Sequence, residues 1–189
     1  MLALGERAPT IETDRLVLRE LTLDDAEAVA ARAGDRRVAR YLIAVPTPYP
    51  IALARRWIAG RIAWWAQGRG VTLAIARRAA PHELLGSASL RRYVRDRRAE
   101  LGYWLGAADW GKGYATEAAD AMLELGFAEL RLERIYAHVL AGNAASCRVL
   151  DKLGMSAEGI RRNHVRKGRR LHDVHLYGML RGEWRDRDR

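Results

Sequence analysis

Residues 100–116 read ELGYWLGAADWGKGYAT, and the order of features in this stretch constrains the rest of the chain. Glu100 to Leu105 has the aromatic and aliphatic content of a short strand. Gly106 and Asp109 mark a turn. Trp110-Gly111-Lys112-Gly113 is a glycine-rich loop, and good helix formers begin near Tyr114. A strand feeding a glycine loop that opens a helix builds an anion site: unpaired N–H groups converge there and the helix dipole adds partial positive charge. Glycines let the backbone approach phosphate oxygens with no side chain in the way.

Three readings compete for the loop. Gly106, Gly111 and Lys112 match the first part of a nucleotide-triphosphate loop, but Gly113 stands where that motif needs a hydroxyl for Mg²⁺. An ordinary turn before a helix would use the same punctuation. The third reading is a diphosphate cradle for a cofactor other than ATP.

Composition narrows the classes. A chain of 189 residues is most simply one domain, residues 1–189, with a sizeable core. Hydrophobic residues at 49% and charged residues at 30% are ordinary for a globular protein. No apolar run approaches the roughly eighteen residues of a membrane span, and MLALGERAPT is charged too soon for a signal peptide. One cysteine, Cys147, excludes an internal disulfide and implies a reduced, cytoplasmic setting. The net charge of +10 favours acidic partners, ribosomes and nucleic acid among them, but it is spread over arginines with one dense run around Arg161 to Arg170. A solvated surface explains it as well as a nucleic-acid face.

Taken in order, Asp14 to Glu20 alternates as a half-buried strand, and Thr22 and Asp25 have capping-box spacing before a helix that ends near Gly34. Prolines 46, 48 and 50 make a loop, after which Ile51 to Ala66 has helical spacing. Its Trp57 and Trp65 are core or groove wall. Val71 to Ala76 and Leu84 to Tyr93 are strands about an Ala80-Pro81 turn. Thr116 to Leu130 is a helix and Arg134 to Leu140 a buried strand. Asn143 caps a further helix closed by Gly154. Ala157 to Arg166 and Arg170 to Leu180 form a hairpin about Lys167-Gly168. Strands at both ends with helices between predict a mixed α/β sheet rather than a doubly wound one.

LGYWL followed by WGKGYATEA, then NAASCRVLDKLGMSAEG from Asn143 to Gly159, resembles the GNAT acyltransferases, most closely the RimJ/RimL branch that acetylates ribosomal-protein N-termini. The similarity runs from RLVLRELTLDDA at Arg15 to LYGMLRGEW at Trp184. It implies an acyl-CoA N-acyltransferase fold: a mostly antiparallel central sheet with flanking helices, whose fourth and fifth strands run parallel and splay apart. The cofactor implied is acetyl-CoA as cosubstrate, with no metal.

The diphosphate loop, usually Q/R-x-x-G-x-G/A, falls on Trp110 to Ala115, with Trp110 in place of the polar first residue. The resemblance gives Gly111, Lys112, Gly113, Ala115 and Thr116 to the diphosphate, with Trp110 and Tyr114 as further cofactor-binding residues of the same loop. It gives Tyr103, Trp104 and Leu105 to the pantetheine, and Asn143 reaches the same region, where its reading as a plain helix cap coexists. Ser146 resembles the hydroxyl that approaches the sulfur. Glu100, on the cofactor strand, and Glu158, in MSAEG, are the leading general bases; a salt bridge to one of the many arginines is the alternative for each. His175 and Tyr177 are placed near the acceptor, with a packed core tyrosine equally compatible.

The expected reaction is direct attack of an amine on the thioester in a ternary complex. A protein N-terminus, ribosomal or other, is the leading acceptor. The alternatives are a small amine (an aminoglycoside, polyamine or amino acid) or a non-catalytic acyl-CoA-binding or RNA-associated module. Ribosome association is compatible, no membrane partner is expected, and the assembly is a monomer or homodimer.

Overall fold

A computed structural model of the protein describes residues 7–186. Eight strands form one sheet in the order β1-β2-β3-β4-β5-β6-β8-β7. They are β1 (Ile11–Glu12), β2 (Leu16–Glu20), β3 (Gly70–Arg77), β4 (Ala80–Tyr93), β5 (Arg98–Leu105), β6 (Arg134–Leu140), β7 (Ser156–Lys167) and β8 (Arg170–Leu180). Neighbours are antiparallel except β5 and β6, which are parallel. The short β1, which alternation did not reveal, shifts the numbering so that the expected fourth and fifth strands are β5 and β6.

Helices cover both faces. On one side α1 (Ala26–Gly34) and α3 (Ile51–Ala66) bury Val29, Ala30, Ala54 and Ile58 against Leu21, Ala74 and Leu84. On the other, α4 (Tyr114–Glu124) and α5 (Ala144–Lys152) pack Met122, Leu123 and Leu150 over Leu73, Leu90, Leu101 and Ile135. A sheet covered twice explains why β3, GVTLAIAR, is buried along nearly its whole length. Two smaller helices, α2 (Arg36–Ala39) and α6 (Arg181–Asp186), complete the chain.

Boundaries differ from the sequence reading in places. The Thr22/Asp25 capping box is present, with the Thr22 N–H donating to Asp25 Oδ2 at 2.9 Å, but it opens a 3₁₀ turn before α1. β4 begins at Ala80, not after an Ala80-Pro81 turn; a bulge against Ala76 and Arg77 lets Pro81 sit in the strand. α4 starts at Tyr114, where the good helix formers begin, but the expected run to Leu130 ends in a π-helical turn, Leu125–Glu129. There the Leu130 N–H donates to the Leu125 carbonyl, and Gly126 sits against Ile135, Leu90 and Leu132 with no room for a Cβ.

The parallel pair controls the architecture of the site. β5 and β6 pair from Arg98 with Arg134 to Leu101 with Ala137, and then separate. Each keeps its outer partner past that point. Trp104 and Leu105 remain on Ser87 and Gly86 of β4, where a Cβ on Gly86 would collide with the Trp104 carbonyl. His138, Val139 and Leu140 remain on Leu176, His175 and Val174 of β8. The strands are thus held apart from outside, and their inner edges beyond Leu101 and Ala137 face a gap.

Candidate active site

Gly111 and Gly113 have φ of +75° and +81°, conformations that favour glycine. Gly113 is the N-cap of α4, and the first intrahelical bond runs from Glu117 N–H to the Gly113 carbonyl at 3.1 Å. The N–H groups of Tyr114, Ala115 and Thr116 therefore have no acceptor within the helix. Arg15 fixes the loop from outside: it donates to the Lys112 carbonyl at 2.9 Å, ion-pairs with Glu117 at 2.6 Å and lies over the Tyr114 ring at 5.0 Å. Trp110 donates from Nε1 to the Leu105 carbonyl at 3.0 Å, so the unusual first residue of the loop fastens it to the end of β5. Lys112 is turned back onto Asp109 at 3.0 Å, and Asp109 is also held by Arg32 at 2.8 Å. Burial pushes the Asp109 carboxyl up, and the bonds from Lys112 and Arg32 bring it below the usual range.

A cavity of about 860 Å³ runs from this loop through the gap between β5 and β6 to the face covered by α1 and α3. Of the residues expected to contact cofactor, all but Lys112 line it, from Tyr103, Trp104 and Leu105 through the loop to Asn143 and Ser146. Asn143 also caps α5, accepting from the Ser146 N–H at 3.2 Å. The Tyr103 hydroxyl lies 2.9 Å from Ser146 Oγ, joining β5 to α5 across the gap. Burial pushes the Tyr103 phenol well above its ordinary value, outweighing its bond to Ser146, and keeps it protonated. Segment 40–45 bridges the outer mouth, held by Lys167 Nζ on the Leu42 carbonyl at 2.6 Å and by Tyr41 on Gly142 at 3.3 Å.

His138, the first residue of β6 past the last paired rung, lines the cavity. Its Nδ1 lies 3.0 Å from Glu100 Oε1. The hydrogen bond from His138 holds the Glu100 carboxyl below the usual glutamate range, against the burial that raises it. Glu100 itself is set behind the imidazole rather than in the lining.

The Acetyltransferase (GNAT) domain profile matches residues 15–156. YoaA of Bacillus subtilis, named an uncharacterized N-acetyltransferase, is 34% identical over 173 residues, covering 91% of this chain and 97% of its own. A GNAT-family acetyltransferase structure from Bacillus anthracis superposes with a TM-score of 0.81 at 26% identity, covering 92% of this chain and 99% of that one. RimL, a ribosomal α-N-protein acetyltransferase solved with coenzyme A, shares the fold at a TM-score of 0.81 and 19% identity, with 91% and 98% covered. The chain belongs to the GNAT acetyltransferase family.

It is accordingly an acetyl-CoA-dependent N-acetyltransferase, with no helix among the described residues long and apolar enough to cross a membrane. The residues expected on the acceptor side of this acetyltransferase are not all brought together. Glu158 sits at a β7 bulge, ion-paired with Arg134 in a space left open by Gly178, and does not line the cavity. The Arg134 bond holds its carboxyl below the usual range, which makes it a weaker base. His175 is on β8 opposite Val139, outside the lining. Tyr177 is 7% exposed in the core on the α5 side, its phenol pushed up to about 12 by burial. From sequence, His138 reads as a surface or pocket-lining group, with a substrate contact as the alternative. The local signal for it is the alternation in RIYAHVL, which puts Tyr136 and His138 on one face; the pairing with Glu100 depends on strand register.

Proposed function

We propose that this acetyltransferase acetylates the N-terminal amine of a protein by direct attack in a ternary complex. The observation that carries the reading is the Glu100–His138 pair at the mouth of the splayed strands, facing a cavity that continues to the diphosphate-type loop. Residues Gly111, Gly113, Tyr114, Ala115 and Thr116 would hold the cofactor's linked phosphates through backbone N–H groups. Acetyl-CoA when bound supplies an acetyl group as a thioester whose leaving group is a thiolate. The alternate N–H groups of Gly102 to Leu105 on the free edge of β5 face the gap and are available to a polarised carbonyl oxygen.

Glu100 accepts from His138 Nδ1 and so fixes the imidazole with Nε2 free to accept a proton from the incoming ammonium. The neutral Tyr103–Ser146 hydroxyl pair lies on the opposite side of the gap, where it offers a proton or a hydrogen bond to a departing thiolate. Cys147, on the α5 side beside Tyr177, takes no part. The choice of a protein N-terminus is supported by likeness of fold to RimL and by a cavity open toward the α1/α3 face. Thiol release from acetyl-CoA against free-N-terminus peptides and small amines tests it. Turnover of peptides is expected; turnover confined to small amines would overturn the acceptor, and coenzyme A binding without turnover of any amine would overturn the enzyme reading.

A further inference from the structure

Beside the acceptor face of the cavity lies a cluster of three arginines, of which Arg61 lines the cavity and Arg91 faces the Glu100 carboxylate across β4 and β5. Arg61 of α3 stacks 3.4 Å from the Trp64 ring centroid, and Arg69 and Arg91 approach the same ring at 5.6 and 5.9 Å. Among the described residues, none of the three arginines makes an ion pair with a carboxylate. Arg61 lines the cavity with its Nε buried and unpartnered. Thr72, 5% exposed on β3 and lining the same cavity, also has its Oγ1 buried without a partner. Stacking occupies the flat face of a guanidinium and leaves the N–H groups in its plane free to bind an oxyanion. Two buried polar groups without a protein partner, beside three guanidiniums, suit an anionic ligand that enters the cavity.

Sheet register connects this cluster to the reacting end. Thr72 is opposite Ser89, and Ser89 is opposite Gly102 at the start of the gap. Two rungs on, and on the same face, Arg91 is opposite Glu100, which pairs with Tyr136. Ser87 and Ser89 line the path between them. Arg91 on β4 and Tyr136 on β6 are two strand spacings apart, and His138 is two residues further along β6, which puts Arg91 and His138 about 12 Å apart. That is too far for the amine and carboxylate of one amino acid, and matches about three to four residues of extended peptide at about 3.3 Å each.

We infer that the acceptor is an acidic N-terminal segment, with its free amine at His138 and a carboxylate side chain near the third residue held by Arg61 and Arg91. This rests on the reading of the acceptor as a protein N-terminus and adds the chemistry of the residues just past that amine. The arginines act as specificity determinants and touch none of the reacting atoms. Their positive field also disfavours polyamines and aminoglycosides at the same face.

The test is kcat/KM for the full-length protein with acetyl-CoA and peptides differing only in one residue at positions two to four, as Glu, Gln or Lys. The expected order is Glu, Gln, Lys, with Glu over Gln by roughly ten- to a hundredfold and best at the third position. In Arg61→Gln and Arg91→Gln the Glu-to-Gln ratio should fall toward one, and Arg61→Glu should turn the preference toward Lys. Arg91 is exposed on the sheet, so its variant keeps the test decisive should Arg61→Gln fail to fold. Peptide turnover with no charge preference, or a preference untouched by Arg91→Gln, overturns the inference and leaves the N-terminal acceptor standing. Turnover of small amines with no peptide acetylated overturns that acceptor and the inference with it.

Discussion

The two ends of the cavity are built by different means. At the cofactor end the proposed binding groups are backbone N–H donors, set by Gly113 at the start of α4 and clamped by Arg15, Glu117 and Trp110. At the acceptor end the proposed groups are side chains from β4, β5, β6 and α3: Glu100, His138, Arg91 and Arg61. Backbone donors are prearranged by local conformation and tolerate changes of side chain. Side-chain groups depend on register and on one another. The first end should therefore fail when a glycine is replaced, the second when a single functional atom is.

The largest expected effect is at the acceptor end. His138→Ala should lower kcat by about 10²- to 10⁴-fold while coenzyme A affinity, measured by calorimetry, stays near wild type, because only the proton acceptor is lost. Equal loss of affinity would mean that the imidazole belongs to the cofactor end. Glu100→Gln should give a smaller loss of kcat, since the imidazole remains but its orientation and counter-charge are weakened.

Gly113→Val probes the other end. Its φ of +81° is strained for valine, and a Cβ would stand 3.2 Å from the Arg15 guanidinium. Coenzyme A affinity should fall at least about tenfold, a penalty of about 1.4 kcal/mol or more. Binding at wild-type strength in a folded variant would break the contrast.

Legibility divides along the same line. The loop, its helix and the Asn143 cap are readable because glycine, cap and spacing act within a few residues. The parallel pair and its splay are expected only through family resemblance; no local pattern announces that β5 and β6 stay with their outer neighbours after Leu101. Glu100 is a candidate from its strand, but its partner His138 is 38 residues away and meets it only once the parallel register is fixed. Glu158 is the converse case: a motif position whose carboxylate is held by Arg134, a partner that sequence could not pick out among so many arginines.

Two smaller effects sharpen the comparison. Glu158→Gln should change kcat by less than about threefold, and stability by about 1 kcal/mol or less, because the partly exposed pair with Arg134 is a modest contributor. A large loss of kcat at constant affinity would move the base to Glu158. The pH dependence of stability has a defined sign at Glu100. Its folded pKa is depressed, so the stabilisation is present above the ordinary glutamate value and is lost as pH falls through the lower folded value. The difference in melting temperature between wild type and Glu100→Gln should thus shrink in acid, below about pH 4. A difference that stays constant through that range would show that the carboxylate is not held by His138.

The most direct measurement is an amide ¹⁵N–¹H titration of the protein with coenzyme A. The largest shifts are predicted at Gly113 to Thr116, and they should disappear when pantetheine lacking the diphosphate replaces coenzyme A. Saturable binding that leaves those four resonances unmoved would contradict the account.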